Sequence, residues 1–409
     1  MKHRARRAGV MVQALVVLAG LVVLIGTLAA DQRVRAAEIQ YRMSRRRAEV
    51  AAKSGLLRAV AALQGADSNR LSLEDEWATL GSAGSEEFPL DGSTFRVQII
   101  DAGSLIDINT VGADQLALLP MEPEQSDSLL DWREGGTVPR ANGAKDEYYT
   151  SLDSDYQTAR QPFRTLSELL LVKGWTPRRL YEVDEDVETT ATVPTDADGN
   201  RLALAALLTV GSGAPNTTAQ GTNRVNINVA NLSANVLVQF GLNLQTAVRV
   251  AQGGPYNNLR ELLLAPGVTP DVQQRILDGA TAVATQRVEG LVNVNTASQT
   301  VLESLGLTSD IASAIVSRQS HGFASLGELG TVPGLDGPEL ARIADRVTLG
   351  GDTWVVRTQG RSGDVAVCLE AVVGIRDGRA RILDWTTLPD LDVPAWWAWS
   401  EPTVVGGAP

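Results

Sequence analysis

Cysteine is almost missing from this chain. Cys368 stands alone, so no intramolecular disulfide can brace the fold, and cysteine usage does not distinguish a reducing from an oxidising compartment. Histidine is nearly as scarce. His3 and His321 have no second ligand at a recognisable spacing, which removes histidine-based metal centres from consideration. Cys368 falls at an apolar position of an alternating run, with no orienting third group for a Cys–His pair, so it reads as a core residue and not a nucleophile. No catalytic constellation is legible, and the expectation is that the protein is not an enzyme. Aromatic residues make up only 5% of the chain, yet three of its 8 tryptophans crowd into Pro394-Ala395-Trp396-Trp397-Ala398-Trp399. Such a cluster is costly to leave in water, so it either packs back on the body or docks on a partner.

Positive charge is in short supply everywhere except at the start. The chain carries −12 overall. Residues 1–47 hold ten Lys and Arg against Asp31 and Glu38, a balance of +8 that leaves −20 on the remainder. A body that acidic repels polyanions, whereas the basic start suits a membrane surface with anionic lipid.

The longest apolar run lies directly behind the basic leader. Val10 to Ala30 is 21 residues long with Gln13 as its only strongly polar member. As a helix this run spans about 30 Å, the thickness of a bilayer core. Thr27-Leu28-Ala29-Ala30 would also serve as a signal-peptidase site, which keeps ordinary secretion as an alternative. Helix breakers are missing beyond it, however. From Asp31 to Leu63 there is no proline, and Gly55 is the only glycine. Val34, Ala37, Tyr41, Ala48, Ala52, Ala59 and Leu63 recur near a 3.6 period, which predicts one continuous helix whose second half packs on a globular head.

The body repeats. Ile106-Asp107-Ile108-Asn109-Thr110, Val225-Asn226-Ile227-Asn228-Val229 and Val292-Asn293-Val294-Asn295-Thr296 each open a helix-like stretch with a short turn. Each then reaches an aromatic-Leu-Glu-Leu stretch, at Phe163 to Leu169, Tyr256 to Leu262 and Phe323 to Leu329. From Asn228 to Glu261 and from Asn295 to Glu328 the separation is 33 in both cases; from Asn109 to Glu168 it is 59, so the first copy holds an insert of 26 around Gly135 to Arg160. Each unit reads as two helical hairpins of helix-hairpin-helix type. Asn followed by Thr reads as N-cap chemistry, and Gly241 and Gly306 supply turns with positive φ. The turns lack the second glycine of phosphate-binding hairpins. Basic and acidic side chains number 8 and 16 in residues 109–188, 3 and 7 in 289–350, and 5 and 3 in 223–288. Nucleic acid is therefore not the expected partner.

Strand-like alternation flanks this block, at Ser93 to Asp101 on one side and at Thr353 to Gly360, Asp364 to Val373 and Arg379 to Trp385 on the other, with an Asp377-Gly378 turn between the last two. The expected fold is α+β: a long pilin-type helix and a small antiparallel sheet split by a large helical insertion of helix-hairpin-helix-like (SAM-like) units.

The leader ending in Ala8-Gly9, the stem, the three units and the split sheet together resemble the K-type minor pseudopilins of bacterial type II secretion systems. That resemblance implies cleavage by a prepilin peptidase between Gly9 and Val10. It also accounts for Ala14, which stands where other pseudopilins carry a glutamate for a neighbouring subunit's amine; the K type lacks it, as a subunit with no neighbour beyond it would. The implied partners are the other minor pseudopilins (types I, J and H), the peptidase and the inner-membrane assembly platform, with the protein spanning the inner membrane once, N-terminus cytoplasmic and body periplasmic. Its implied role is to form the tip complex of the pseudopilus and prime its assembly. On this reading the chain divides into leader 1–9, membrane helix 10–30, stem continuation 31–64, first part of the head 65–108, unit 1 109–188, linker 189–222, unit 2 223–288, unit 3 289–350, last strands 351–390 and a Trp-rich tail 391–409. Asn109, Asn228, Asn295, Glu168, Glu261, Glu328, Gly241 and Gly306 are its structural repeat positions. No cofactor is required, although the resemblance implies calcium in the helical domain. Asp196, Asp198 and Asn200 have the alternating spacing of a calcium loop without its distal glutamate, beside a solvated-linker reading of the same residues. Asp184-Glu185-Asp186 and Asp146-Glu147 are further acidic candidates. A membrane-anchored helix-hairpin-helix DNA receptor of the competence type is the alternative.

Overall fold

The first sixty residues settle the architecture, because nothing in them interrupts a helix. The computed structural model describes residues 2–183, 195, 201–388, 392–400 and 403–404, with backbone only for 2–14 and 403–404. A single helix, the stem, runs from Lys2 to Leu63. Its C-terminal half buries Ala48, Ala51, Ala52, Leu56, Ala59 and Leu63. Small residues dominate this stripe, so the helix axis can lie close to a sheet.

That sheet has six strands. Strand β1 is Glu86–Leu90, β2 Ser93–Asp101, β3 Thr353–Ser362, β4 Val365–Arg376, β5 Arg379–Thr387 and β6 Thr403–Val404. Their spatial order is β5-β4-β3-β2-β1-β6, antiparallel apart from the β1–β6 pair. Strands β2 and β3 are neighbours in register from Trp354 opposite Asp101 to Arg361 opposite Thr94, so the sheet closes across everything between residues 101 and 353. Val97, Ile99, Trp354, Val356, Ala371 and Val373 point from its inner face into Leu56, Ala59 and Leu63 of the stem. The closest approach falls at Gly360, where a Cβ would overlap the Ala48 carbonyl and the Ala52 amide. The expected Asp377-Gly378 turn is present with both residues at positive φ. Strand β1 is not foreseen by alternation, since Pro89 and two glutamates disguise a sheet-margin strand.

The insertion folds as three units around one continuous core running from Ile106 to Leu349. Each unit closes on itself with a two-residue parallel pair. Ile106-Asp107 pairs with Leu208-Thr209, Val225-Asn226 with Ala280-Thr281, and Val292-Asn293 with Val347-Thr348. These pairs correct one sequence expectation. Residues 201–222 are not a free linker: Leu204, Leu207 and Leu208 are core, and Leu208-Thr209 is the closing strand of unit 1. The second hairpin opens with a 3₁₀ turn in units 1 and 3 (Leu166–Leu171 and Leu326–Thr331) and with an α-helix only in unit 2 (Leu259–Leu263).

Candidate functional site

From Leu15 to Leu28 every Leu, Ile and Val side chain is at least half exposed. Burying each such side chain is worth about 1.5–3 kcal/mol, so this cylinder strongly favours an apolar medium. Among the described residues this is the one helix long and apolar enough to cross a membrane. Gly9, Val10 and Ala14 lie in the backbone of the same helix. The head begins to cover the stem only at Ala48. Val34 and Tyr41, expected to pack on it, are 67% and 47% exposed. The correction has a simple cause: the sheet reaches only as far as Val367 and Leu369, which meet Ala48 and Ala52, and ends there. The neck from Asp31 to Arg47 therefore stands clear of the head. Arg35–Asp31 and Arg42–Glu38 pairs at i,i+4 support it.

The repeat positions have one local geometry with a different use from the expected one. Asp107, Asn226 and Asn293 each accept the backbone N–H two residues on, at 2.9, 2.8 and 3.0 Å. This turn aims the next Asn across the unit and away from a helix cap. Asn109 accepts from the Phe163 N–H (2.7 Å) and donates to the Phe163 carbonyl (3.0 Å). Asn295 makes the same pair of bonds with Phe323, at 2.7 and 3.3 Å. These two asparagines pin the aromatic loop of their unit; the N-cap of the third unit's first helix is Ser298, three residues after Asn295. Asn228 is exposed, and Tyr256 bonds instead to the Ile227 carbonyl through its backbone. The glutamates act alike in all three units. Glu168, Glu261 and Glu328 accept the N–H four residues earlier, at 3.2, 3.1 and 3.0 Å, and so fix the start of the second hairpin. Gly241 and Gly306 sit at φ +96° and +88°.

A helix-hairpin-helix surface binds phosphate through free amides and nearby cations. Here the amides of Leu259 and Arg260 are taken by Asp345 of unit 3, at 2.8 and 3.3 Å, and burial raises that carboxyl above the usual range. A cleft of about 270 Å³ opens between units 1 and 3. Its charged groups are all engaged: Asp107 by Asn109 and Ser212, Glu289 by Arg287, Asp345 by Leu259, and Arg346 by Asp114.

The insertion is stitched to the head by polar groups, of which the sequence singled out only those of the third repeat motif and not Asp101, Arg287 or Asp352. Asp101, at the end of β2, is buried and accepts from Gly103 N–H (2.9 Å), Asn293 Nδ2 (2.8 Å) and Thr296 Oγ1 (2.7 Å). Burial pushes its carboxyl up to about 6. Asn295 also donates to the Leu71 carbonyl at 3.1 Å, and Arg287 pairs with Asp352 at 2.7 Å. The signal available in the sequence was Asp101 closing an apolar strand at the entry to the insertion.

The tryptophan tail packs back. Trp397 is buried, and Arg357 of β3 lies 4.4 Å from the Trp396 ring and 5.6 Å from that of Trp397. Trp399 donates to Gln98 at 2.8 Å, and Trp396 meets Tyr181 of unit 1 at 5.4 Å between ring centroids. Cys368 is buried in β4, with its Sγ 3.4 Å from the Asp392 carbonyl, and His321 is exposed on unit 3.

Asp196, Asp198, Asn200 and Asp184-Glu185-Asp186 lie outside the described residues. Among the described residues no three His, Cys, Asp or Glu side chains converge as metal ligands. Asp146 is committed to Thr158 and Arg160. The Lys145 ammonium fills the one carbonyl-lined niche nearby, donating to the Asp131 and Glu134 carbonyls at 2.5 and 2.8 Å. Asp146-Glu147 is therefore not part of a converging carboxylate set among the described residues.

A membrane-length stem, a sheet packed on its second half and a helical insertion between two neighbouring strands define a protein with one membrane-length helix and a head whose sheet is split by an insertion. Residues 114–184 match the family model described as type II secretion system (T2SS), protein K, and residues 288–348 match the helix-hairpin-helix motif. Two curated relatives are the type II secretion system protein K of Pectobacterium carotovorum subsp. carotovorum and that of Klebsiella pneumoniae. They are 29% and 28% identical over 24% and 26% of this chain. The chain spans about a third of the length of these relatives, 35% and 38%. The crystal structure of the GspK-GspI-GspJ complex from the enterotoxigenic Escherichia coli type 2 secretion system includes a similar chain. The identity is 14% and the TM-score 0.49, covering 88% of this chain and 100% of that one. Over residues 114–184 the chain is thus similar to type II secretion system protein K, the family that its leader, stem, repeat and split sheet resemble.

Proposed function

We propose that this protein is the minor pseudopilin of its secretion system's tip complex, and that its chemistry is association, with no bond made or broken by its own side chains. The observation that carries this reading is the protein K match at residues 114–184, which falls inside an insertion interrupting a stem-packed sheet. Apolar stem packing would hold it beside the other minor pseudopilins (types I, J and H). The insertion is too bulky for the wall of a filament and suits a subunit with nothing above it. Ala14 fits the same place, because a carboxylate there would be buried without an amine to pair with.

Cleavage between Gly9 and Val10 by a prepilin peptidase would leave the stem in the inner membrane with the body in the periplasm. The basic leader favours the cytoplasmic side for the N-terminus. The test is intact mass and N-terminal sequence of the membrane-extracted protein with and without a co-expressed prepilin peptidase. A peptidase-dependent start at Val10, with co-purification of the I and J partners, supports the proposal. A start at Met1 or near Ala30 under both conditions refutes it. The acidic body and the engaged hairpin amides weigh against the DNA-receptor alternative.

A further inference from the structure

Units 2 and 3 share the Asn-to-Glu separation of 33, with the turn glycine two residues nearer the Asn in unit 3, so each is an internal control for the other once the two hairpins are aligned separately. Aligned on Gly241 with Gly306 and on Glu261 with Glu328, they differ systematically around the hairpin turns. Unit 2 has Val238, Leu244, Val248 and Leu264 where unit 3 has Glu303, Ser309, Ser313 and Thr331. The four apolar side chains are 40%, 61%, 41% and 44% exposed. In unit 3 the polar replacements bond to one another and to neighbours. Ser309 donates to Glu303 at 2.7 Å, and Arg318 donates to Thr331 at 2.7 Å. Corresponding positions therefore carry a solvated surface in one unit and an apolar one in the other.

The apolar positions are neighbours. Leu244 and Val248 share a face of the helix Leu244–Gln252. Val238 closes the helix before the Gly241 turn and accepts the Gly241 N–H at 2.9 Å. The turn after Leu264 abuts the first turn of that helix, since a Cβ on Gly267 would lie 2.7 Å from Thr246 Cγ2. Three exposed arginines surround them. Arg249 follows Val248, Arg260 is one turn before Leu264, and the Arg275 guanidinium lies against Gly241. None of the three has a carboxylate partner among the described residues, on a body whose remaining charge is strongly negative.

We propose that this face of unit 2 is a docking surface for an acidic amphipathic segment of another protein. The segment's apolar side chains cover Leu244 and Val248, and its carboxylates pair with Arg249, Arg260 and Arg275. Charge complementarity selects the acidic partner, and the apolar centre selects protein over a phosphate backbone, which needs donors where this face has Leu and Val. The surface makes no use of the stem or of peptidase processing, so it stands or falls apart from the function proposed above.

The experiment uses the full chain in zwitterionic nanodiscs and three fluorescent probes: a helical peptide with a leucine face flanked by glutamates, the same peptide with lysines for glutamates, and a 20-base-pair duplex. The acidic peptide binds the unaltered protein at least tenfold more tightly than the basic one. L244S/V248S, which copies unit 3 and keeps a surface that unit 3 shows to be compatible with the fold, weakens the acidic peptide at least tenfold. R249E/R260E weakens it as much and raises affinity for the basic peptide. Two results overturn the proposal: acidic-peptide affinity unchanged by L244S/V248S, or duplex binding that needs the arginines and ignores L244S/V248S, which makes the face a phosphate site.

Discussion

Asp101 should make the stability of this protein fall as pH rises between about 4 and 6, by an amount the structure allows to be worked out. Its carboxylate is buried and accepts three hydrogen bonds, none of them from a cation. Desolvation outweighs those bonds and carries the group from 3.8 up to about 6 in the folded protein. A carboxyl that titrates higher when folded binds more protons in the native state. Its effect is therefore absent below the unfolded value and fully destabilising above the folded one. At about 1.4 kcal/mol per unit, the penalty approaches roughly 3 kcal/mol by neutral pH. Asp101→Asn removes the titration and loses one acceptor, a cost that does not vary with pH. Urea unfolding of the full chain in dodecyl maltoside, followed by tryptophan fluorescence at pH 4, 5, 6 and 7.5, measures both proteins. Trp354 of the neighbouring strand, its ring centroid 6.3 Å from that of Trp77, is one of the eight reporters and the one beside Asp101. The unaltered protein should lose about 2.4 kcal/mol relative to the variant from pH 4 to pH 7.5, since at pH 4 the unfolded carboxyl is already partly ionised. A difference between the two that is constant with pH would refute the assignment of that proton to Asp101.

Gly360→Val should lower stability by about 1–3 kcal/mol through overpacking and loosen the stem from the sheet, read as a lower thermal midpoint and faster amide exchange at Ala48–Ala52. Unchanged exchange there would show that the helix does not need the close approach. Asn295→Ala should cost about 2–3 kcal/mol by stranding the Phe323 backbone and the Leu71 carbonyl, while Asn228→Ala should be within about 0.5 kcal/mol of neutral. Equal losses from the two substitutions would remove the distinction between the units. Trp397→Ala should cost about 3 kcal/mol and open the chain beyond Leu388 to limited proteolysis; protection equal to that of the unaltered tail would refute its packing role.

Features set by short-range chemistry were legible in the sequence. A run without helix breakers gives a helix, Asp377-Gly378 gives the β4–β5 turn, and the repeated Asn-to-Glu separation of 33 residues gives the units. Features set by what happens to lie opposite were not. Periodicity makes Tyr41 and Ala52 equivalent, and only the reach of the sheet leaves one exposed and the other buried. An Asn before a Thr resembles an N-cap, but the Asx turn at Asn293 directs Asn295 across the unit to Phe323. Leu208-Thr209 is too short to announce a strand and gains meaning only from Ile106-Asp107, about a hundred residues earlier. The pairing of Asp101 with Asn293 and Thr296 is likewise a long-range fact that no local pattern encodes.

The three units separate holding the fold from presenting a surface, and the repeat asparagine marks the division. In unit 1, Asn109 spends a further bond on the Val210 carbonyl; in unit 3, Asn295 spends one on Leu71, outside its own unit. Those two units also carry the entry to and exit from the head, at Ile106 and Leu349, where an error in position would be transmitted to β2 and β3. Unit 2 keeps the glutamate and glycine that build its hairpins but leaves Asn228 in water. Its fold is secured from outside instead, by Asp345 on the start of Leu259–Leu263 and by the helix Pro270–Gly279 lying so close to unit 3 that a Cβ on Gly327 would come 2.7 Å from the Gln274 carbonyl. A unit braced by its neighbour in this way can vary its exposed hairpin surface at little cost in stability. On this argument, exchanging Leu244 and Val248 for the serines of unit 3 should shift the thermal midpoint by no more than a degree or two, whereas placing leucine and valine at Ser309 and Ser313 should break the Ser309–Glu303 bond and leave two more apolar groups in water. If both exchanges proved equally costly, the apolar face of unit 2 would have to be counted as part of its fold.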